Sequence, residues 1–351
     1  MLQLDLSRVH SSQHSRDIKT LTEAGIAVPD CYVHPDVRDS WWCRVREGSA
    51  LVSGFVVERS RSRLLPGTSL LRVSRFGRAI HAPLIPSLSA ILPDVASRFA
   101  FVQRLDISVF EEDDSRRRLL ESGLVDAGML RVPARTYTRT LRLDLTGDDE
   151  AVFARLSAST RRNIREAEKC GLRTVPLSGE HLLPAMTRLY KATFLRTGVD
   201  APVLDFRNVF ASATDRTSAL FGVFVNGAEY EPEALVAFAW VRSNGDHAVY
   251  DVAASTRRPE LGRTPLGYPL LWTCARWARA SGLQWMDLGG VPGVTVPTNS
   301  PLHSIAAFKR GFSTFELDVG AQYRFEPNQV LSALARGVRR FAAALHPTIP
   351  S

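Results

Sequence analysis

Residues 156–172 read LSASTRRNIREAEKCGL, and their spacing predicts a short helix. Arg161, Arg162, Arg165 and Lys169 put four cations on it, opposed by Glu166 and Glu168. Positions 161, 165 and 169 recur every fourth residue and so share one face. Such a face is either a solvated surface or a contact for phosphate. Gly171 and Pro176 stop the helix early.

Downstream, a helix is predicted over 182–197, and strands over 219–225, 234–242 and 247–254. Asn226-Gly227 and Asn244-Gly245 separate the strands, which is the turn chemistry of antiparallel hairpins. A helix over 266–280 ending at Gly282, a strand over 284–288 and the glycine-rich Gly289 to Gly293 follow. Upstream, 49–59 and 68–73 read as strands around the Pro66-Gly67 turn, and 112–123 as a helix stopped by Gly123. The alternating segment 138–145 is a strand, punctuated by Thr146-Gly147-Asp148-Asp149. The expected organisation is two α+β units of similar design, 1–145 and 146–318. Residues 319–351 supply a strand and a helix that pack back on the first unit.

The chain has 351 residues, 45% of them hydrophobic and 23% charged, with a net charge of +8. That composition excludes a disordered chain and suits polyanionic partners such as nucleic acid, a phosphorylated precursor or an anionic membrane surface. Solvated charged faces satisfy it equally well. No apolar run is long enough to span a bilayer, and the N-terminal stretch lacks a signal-peptide core, so a cytoplasmic location is expected. The four cysteines lie far apart and read as reduced, small hydrophobes. His10 and His14 stand four apart without an acidic third ligand, and neither a metal nor another cofactor is expected.

Only four of the 44 basic residues are lysines, Lys19, Lys169, Lys191 and Lys309. An ammonium retained amid so many guanidiniums suggests a need for a compact point charge. Lys309 lies in SPLHSIAAFKRGF, residues 300–312. As a cation in the last turn before Gly311 it either offsets the helix dipole or serves chemistry.

The run from Leu156 to Leu172 resembles the R-x-x-I-R-x-A-x-x-x-G signature of Fem-type aminoacyltransferases. Other pieces fall in that family's order: Arg104-Leu105-Asp106, the strand 138–145, Tyr250-Asp251-Val252-Ala253-Ala254-Ser255, Trp285-Met286-Asp287-Leu288-Gly289-Gly290 and Phe308-Lys309. The resemblance covers roughly residues 100 to 325. It implies two tandem acetyltransferase-like (GNAT) domains and transfer of an aminoacyl group from aminoacyl-tRNA, as co-substrate, to an amine. That amine is on a peptidoglycan precursor stem peptide or a peptide-like natural product. The family's long helical arm is not expected here, given Gly171 and Pro176.

The implied reaction is aminolysis of an ester through a tetrahedral oxyanion, without a covalent enzyme intermediate. The resemblance puts Phe308 and Lys309 near the aminoacyl end of the tRNA, with the ammonium facing the oxyanion or the terminal phosphate. It puts Tyr250 near the transfer site, where a phenol donates to an oxyanion or relays a proton; a half-buried core aromatic is the alternative reading. Asp106 matches the family's candidate base for the incoming amine, or else orders a loop. Asp287 reads as a brace for the glycine loop. Arg161, Arg162, Arg165 and Lys169 are the phosphate-contact candidates, with Arg207, Arg257 and Arg258 as weaker ones.

The family's Q-S-x-x-W-x-x-x-K-like opening is missing, and His81-Ala82-Pro83 stands where many relatives have R-G-P. The acceptor is therefore open. Two other classes stay in view, an acyl-CoA-dependent N-acyltransferase and a non-catalytic protein binding tRNA or an envelope precursor. The first is disfavoured because 257–267 lacks the [RQ]-x-x-G-x-[GA] spacing and Pro259 and Pro265 remove amide donors. The second predicts that Lys309 and Tyr250 are dispensable. The run 328–345 reads as an amphipathic helix with Arg336, Arg339 and Arg340, packing on the first domain, with a weak membrane-surface contact as its lesser reading.

Overall fold

A computed structural model describes residues 1–9, 11–24, 39–77, 80–134, 137–197, 201, 204–213, 218–225, 228–257, 261–262, 264–292 and 301–345. In chain order the elements begin with β1 (Leu2–Arg8), α1 (Ser12–Glu23), β2 (Ser40–Glu47), β3 (Ala50–Arg61), β4 (Ser69–Gly77), α2 (Ile85–Ser97), β5 (Val102–Phe110), α3 (Asp114–Asp126) and β6 (Leu130–Val132). Next come β7 (Arg139–Asp144), α4 (Asp149–Arg155), α5 (Ala158–Lys169), β8 (Arg173–Pro176), α6 (Leu183–Thr197), α7 (Phe206–Ser212) and β9 (Ser218–Phe224). The chain continues through β10 (Leu235–Asn244), β11 (His247–Ser255), α8 (Gly267–Ala280), β12 (Trp285–Gly290), α9 (Pro301–Arg310), β13 (Glu316–Asp318), β14 (Gln322–Phe325) and α10 (Gln329–Leu345).

Two compact units result, Met1–Thr138 with Asp318–Ser351, and Arg139–Leu317. Each holds a seven-stranded sheet, in the orders β1-β2-β3-β4-β5-β14-β6 and β13-β7-β12-β11-β10-β9-β8. In each sheet one pair, β4 with β5 and β11 with β12, is parallel; the other pairs with a described register are antiparallel.

The strand read at 138–145 was expected to close the first unit. It is β7, and it pairs antiparallel with β12 in the second sheet. Its inward residues Leu141 and Leu143 join the second unit's core. The first sheet instead takes β14, which lies between β5 and β6.

The Asn244-Gly245 turn forms between β10 and β11, with Gly245 at φ 69° and Asn244 opposite His247. Asn226-Gly227 lies outside the described residues. Gly123 is not a helix stop: it sits within α3, where an added Cβ would stand 2.9 Å from Ser89 of α2. Gly128, at φ 80°, follows the helix end instead. Helix α5 ends at Lys169 and β8 starts at Arg173, which leaves no room for an arm between them.

In the first unit α2 and α3 cover one sheet face through Leu88, Leu92, Leu120 and Leu124. In the second unit α5 and α8 cover one face, and α6 and α7 the other.

Candidate active site

The parallel strands of the second unit part. β11 and β12 pair over His247–Val249 against Trp285–Asp287, after which β11 continues to Ser255 against β10. Just past the parting point the β10–β11 register slips: Val241 faces Tyr250, Trp240 faces Val252, and Asp251 is left over as a bulge. In the first unit the corresponding pair runs from Ser69/Val102 to Gly77/Phe110, with register shifts between Ser69 and Leu70 and between Val73 and Phe76. In the second unit the parallel pairing ends at Val249/Asp287, next to the bulge that follows Tyr250.

On the β12 side of this point, the buried carboxylate of Asp287 accepts hydrogen bonds from the Gly289 amide at 2.8 Å and from the Thr140 hydroxyl. Gly289 adopts φ 79°, a conformation costly for a side-chain-bearing residue. Lys309, on α9, donates from Nζ to the Gly290 carbonyl at 3.1 Å. A Cβ on Gly289 would stand 3.2 Å from that Nζ and 3.8 Å from the Tyr250 carbonyl oxygen. Position 250 and Lys309 thus flank the same glycine. Burial pulls the Lys309 ammonium down to about 8, and the charge of Asp287 resists that shift.

Tyr250 is half-buried against the core beside Cys274, and burial holds its phenol well above the ordinary tyrosine range. It remains a neutral donor at working pH. Phe308 packs edge-on to Tyr268, centroids 4.9 Å apart, and to Phe312 at 5.5 Å.

The two stretches singled out in the sequence meet at Gly311. Its carbonyl accepts from the Ser157 amide at 2.9 Å, and Ser157 caps α5 by accepting from Thr160. A Cβ at 311 would stand 2.2 Å from Oγ1 of the buried Thr160. Gly311→Ala is expected to cost about 1–3 kcal/mol by overpacking and to shift Lys309 on the same helix. Thermal melting checks this, and Thr160→Ala in the same chain should recover most of the loss.

The basic face of α5 is largely engaged. Arg161 turns its Nη1 to the carbonyls of Ala154 at 2.7 Å and Leu156 at 2.6 Å, closing the C-terminal end of α4. Arg165 stacks over Phe153 at 5.3 Å, and Lys169 lies 3.4 Å from Glu166. Arg161, Arg165 and Arg276 line a cleft of about 590 Å³ with Phe153 and Trp272, but Asp149, Glu150 and Glu168 line it too. The row of cations predicted from i+4 spacing is thus a mixed-charge surface. Arg162 is exposed, with no acidic partner among the described residues. Arg207 is exposed on α7 and Arg257 follows β11, while Arg258 lies outside the described residues.

Asp106 is on β5 of the first unit. Arg324 donates to it from Nε at 2.7 Å, and Arg104 Nε lies 3.0 Å from its other oxygen. Both carboxylate oxygens face guanidiniums, which ties β5 to β14. The packing of Gly311 against Thr160, and the bond of Thr140 to Asp287, escaped the sequence reading because only tertiary approach creates them. His14 packs against Trp42, with ring centroids 4.8 Å apart. His10 lies outside the described residues. Among the described residues no group of three or more His, Cys, Asp or Glu is placed to hold a metal ion.

The two-sheet architecture is a fold of two tandem GNAT-like domains. Residues 154–301 match the family described as the acetyltransferase (GNAT) domain. The whole chain is similar to the crystal structure of FemX, with a TM-score of 0.70 at 15% identity, covering 94% of this chain and 99% of that one. It is also similar to a tandem GNAT protein from the clavulanic acid biosynthesis pathway, with a TM-score of 0.55 at 14% identity, covering 93% and 99%. No curated protein matches it in sequence.

Proposed function

We propose that this chain forms an amide bond by moving an aminoacyl group from aminoacyl-tRNA to an amine on a peptidoglycan precursor stem peptide or a peptide-like natural product. The observation that carries the reading is the partly desolvated Lys309 ammonium, held against Gly290 where β11 and β12 part. The acceptor nitrogen bonds to the ester carbonyl carbon, negative charge gathers on the carbonyl oxygen, and the C–O bond to the ribose breaks. The proton lost by the amine ends on the ribose oxygen. Lys309 stabilises the developing charge, Tyr250 donates from its neutral phenol, and Phe308 packs beside the aminoacyl end. Arg162, Arg165, Lys169 and Arg207 remain available to tRNA phosphates as exposed cations.

One feature supports tRNA over acyl-CoA as donor. The Phe308 ring lies 3.3 Å from where a Cβ of Gly267 would stand, so an aromatic covers the first turn of α8 where a pyrophosphate would need bare amides.

The test uses purified protein, charged radiolabelled tRNA pools and amine acceptors, with and without ribonuclease. Transfer should vanish with ribonuclease. Transfer that survives it and needs acyl-CoA would assign the CoA-dependent class, and binding of tRNA without turnover the non-catalytic one. Tyr250→Phe should lower kcat by about 10- to 100-fold with KM little changed, as steady-state kinetics would show.

A further inference from the structure

We infer that the C-terminal helix α10 docks the first unit on an anionic lipid surface. The inference is independent of the donor chemistry proposed above.

α10 divides cleanly by face. Ser332 and Ala335 are buried, and the Ser332 hydroxyl donates to the Gln103 carbonyl at 2.9 Å, which fixes the helix on β5. Turned away from that contact are Val330, Leu334, Val338 and Phe341, exposed by 68%, 54%, 40% and 67%. Their spacing of four, four and three residues makes one stripe about 16 Å long. A buried apolar stripe would need no comment, but this one is bare.

Phe101 adds a second, independent feature. It is 72% exposed and held at φ 51°, a strained conformation for a bulky residue. It lines a cleft of about 420 Å³ with Phe99, Phe325 and Leu331, the last of these from α10 itself. Strain that presents an aromatic to solvent beside an apolar helix face is explained if the aromatic enters an apolar phase.

Charge selects the occupant. Arg98, directly before Phe99, is exposed, and Arg340 directly precedes Phe341; neither has an acidic partner among the described residues. Arg336 is neutralised by Glu326 at 2.6 Å, and Asp94 is the acid lining the cleft. The chain as a whole carries +8. Unpaired cations beside an apolar stripe suit a surface of anionic headgroups over acyl chains. A second copy would bring the same cations together, and one row of four side chains plus Phe101 falls well short of the roughly 20–30 residues a side of a stable dimer. The helix lies on the bilayer: among the described residues no helix is long and apolar enough to cross a membrane.

Vesicle flotation with the full chain tests this, comparing phosphatidylcholine alone with phosphatidylcholine and phosphatidylglycerol at three to one. The protein should float with the mixed vesicles, stay in solution with the neutral ones, and be released by high salt. Leu334→Glu with Phe341→Glu should weaken flotation by about tenfold or more, and Arg340→Glu by a few-fold. All three sites are exposed, so melting temperature and circular dichroism should be those of the parent chain. Equal flotation with both vesicles, no flotation with either, or full flotation of the Leu334/Phe341 variant would overturn the inference. So would concentration-dependent dimerisation that the Leu334/Phe341 variant abolishes, since the stripe would then belong to a second copy.

Discussion

Lys309→Met should lower aminoacyl transfer by about 100- to 1,000-fold at pH 7, the range for losing one preorganised donor to an oxyanion, without lowering the melting temperature. The ammonium is held at about 8 against an ordinary value of 10.5, so folding disfavours its charge. Between those two values the unfolded chain keeps a proton that the folded chain has lost, and stability rises with pH across that window. Below about 8 a constant deficit remains, which methionine removes. The lost hydrogen bond to the Gly290 carbonyl offsets part of this gain, by about 1 kcal/mol. Function has the opposite pH dependence: a cationic role is complete below about 8 and fades above it, so the parent enzyme should show a falling alkaline limb that the variant lacks. Lys309→Arg should also fail, because a planar guanidinium cannot replace a compact head packed against Gly289. A helix-dipole role predicts the reverse pattern, a loss of a few tenths of a kcal/mol with turnover intact. Arg310, paired with Glu316 at 2.7 Å, already supplies a cation in that last turn.

What could be read from the sequence follows from where the information resides. Strands β9, β10 and β11 and helices α6 and α8 were legible because their periodicity, turns and stops are local. Strand β5 was not, because it is buried on both faces and carries Gln103, Arg104 and Asp106 inward, which breaks the alternation of a half-buried strand. β7 was recognised as a strand but assigned to the wrong sheet, since a pairing partner such as β12, more than 140 residues away, leaves no local trace. Lysine scarcity pointed to Lys309, and the structure gives that residue a carbonyl, a glycine and a buried aspartate as surroundings. The i+4 rule placed Arg161 on the basic face correctly as geometry. It could not show that the carbonyls of α4 would claim the guanidinium.

Asp106→Asn should destabilise the first unit by about 3–5 kcal/mol, the range for removing one member of a buried ion pair. Asp106 is 5% exposed, and the amide that replaces it would face Arg104 and Arg324 with no negative charge between them. The damage should concentrate on β14, because Arg324 sits directly opposite Asp106 in the β5–β14 register. Arg324→Met alone should also destabilise, by leaving Asp106 with Arg104 only. The double variant should lose less than the sum, since each change removes part of the other's cost. Denaturant unfolding of the four chains gives that coupling directly. Kinetics separates a brace from a base. A brace predicts that the Asp106→Asn molecules still folded turn over at nearly the parent rate, so that measured activity tracks the folded fraction as denaturant is added. A base predicts that turnover falls by about 100-fold or more in fully folded protein. With both carboxylate oxygens facing guanidiniums, the expected result is the first.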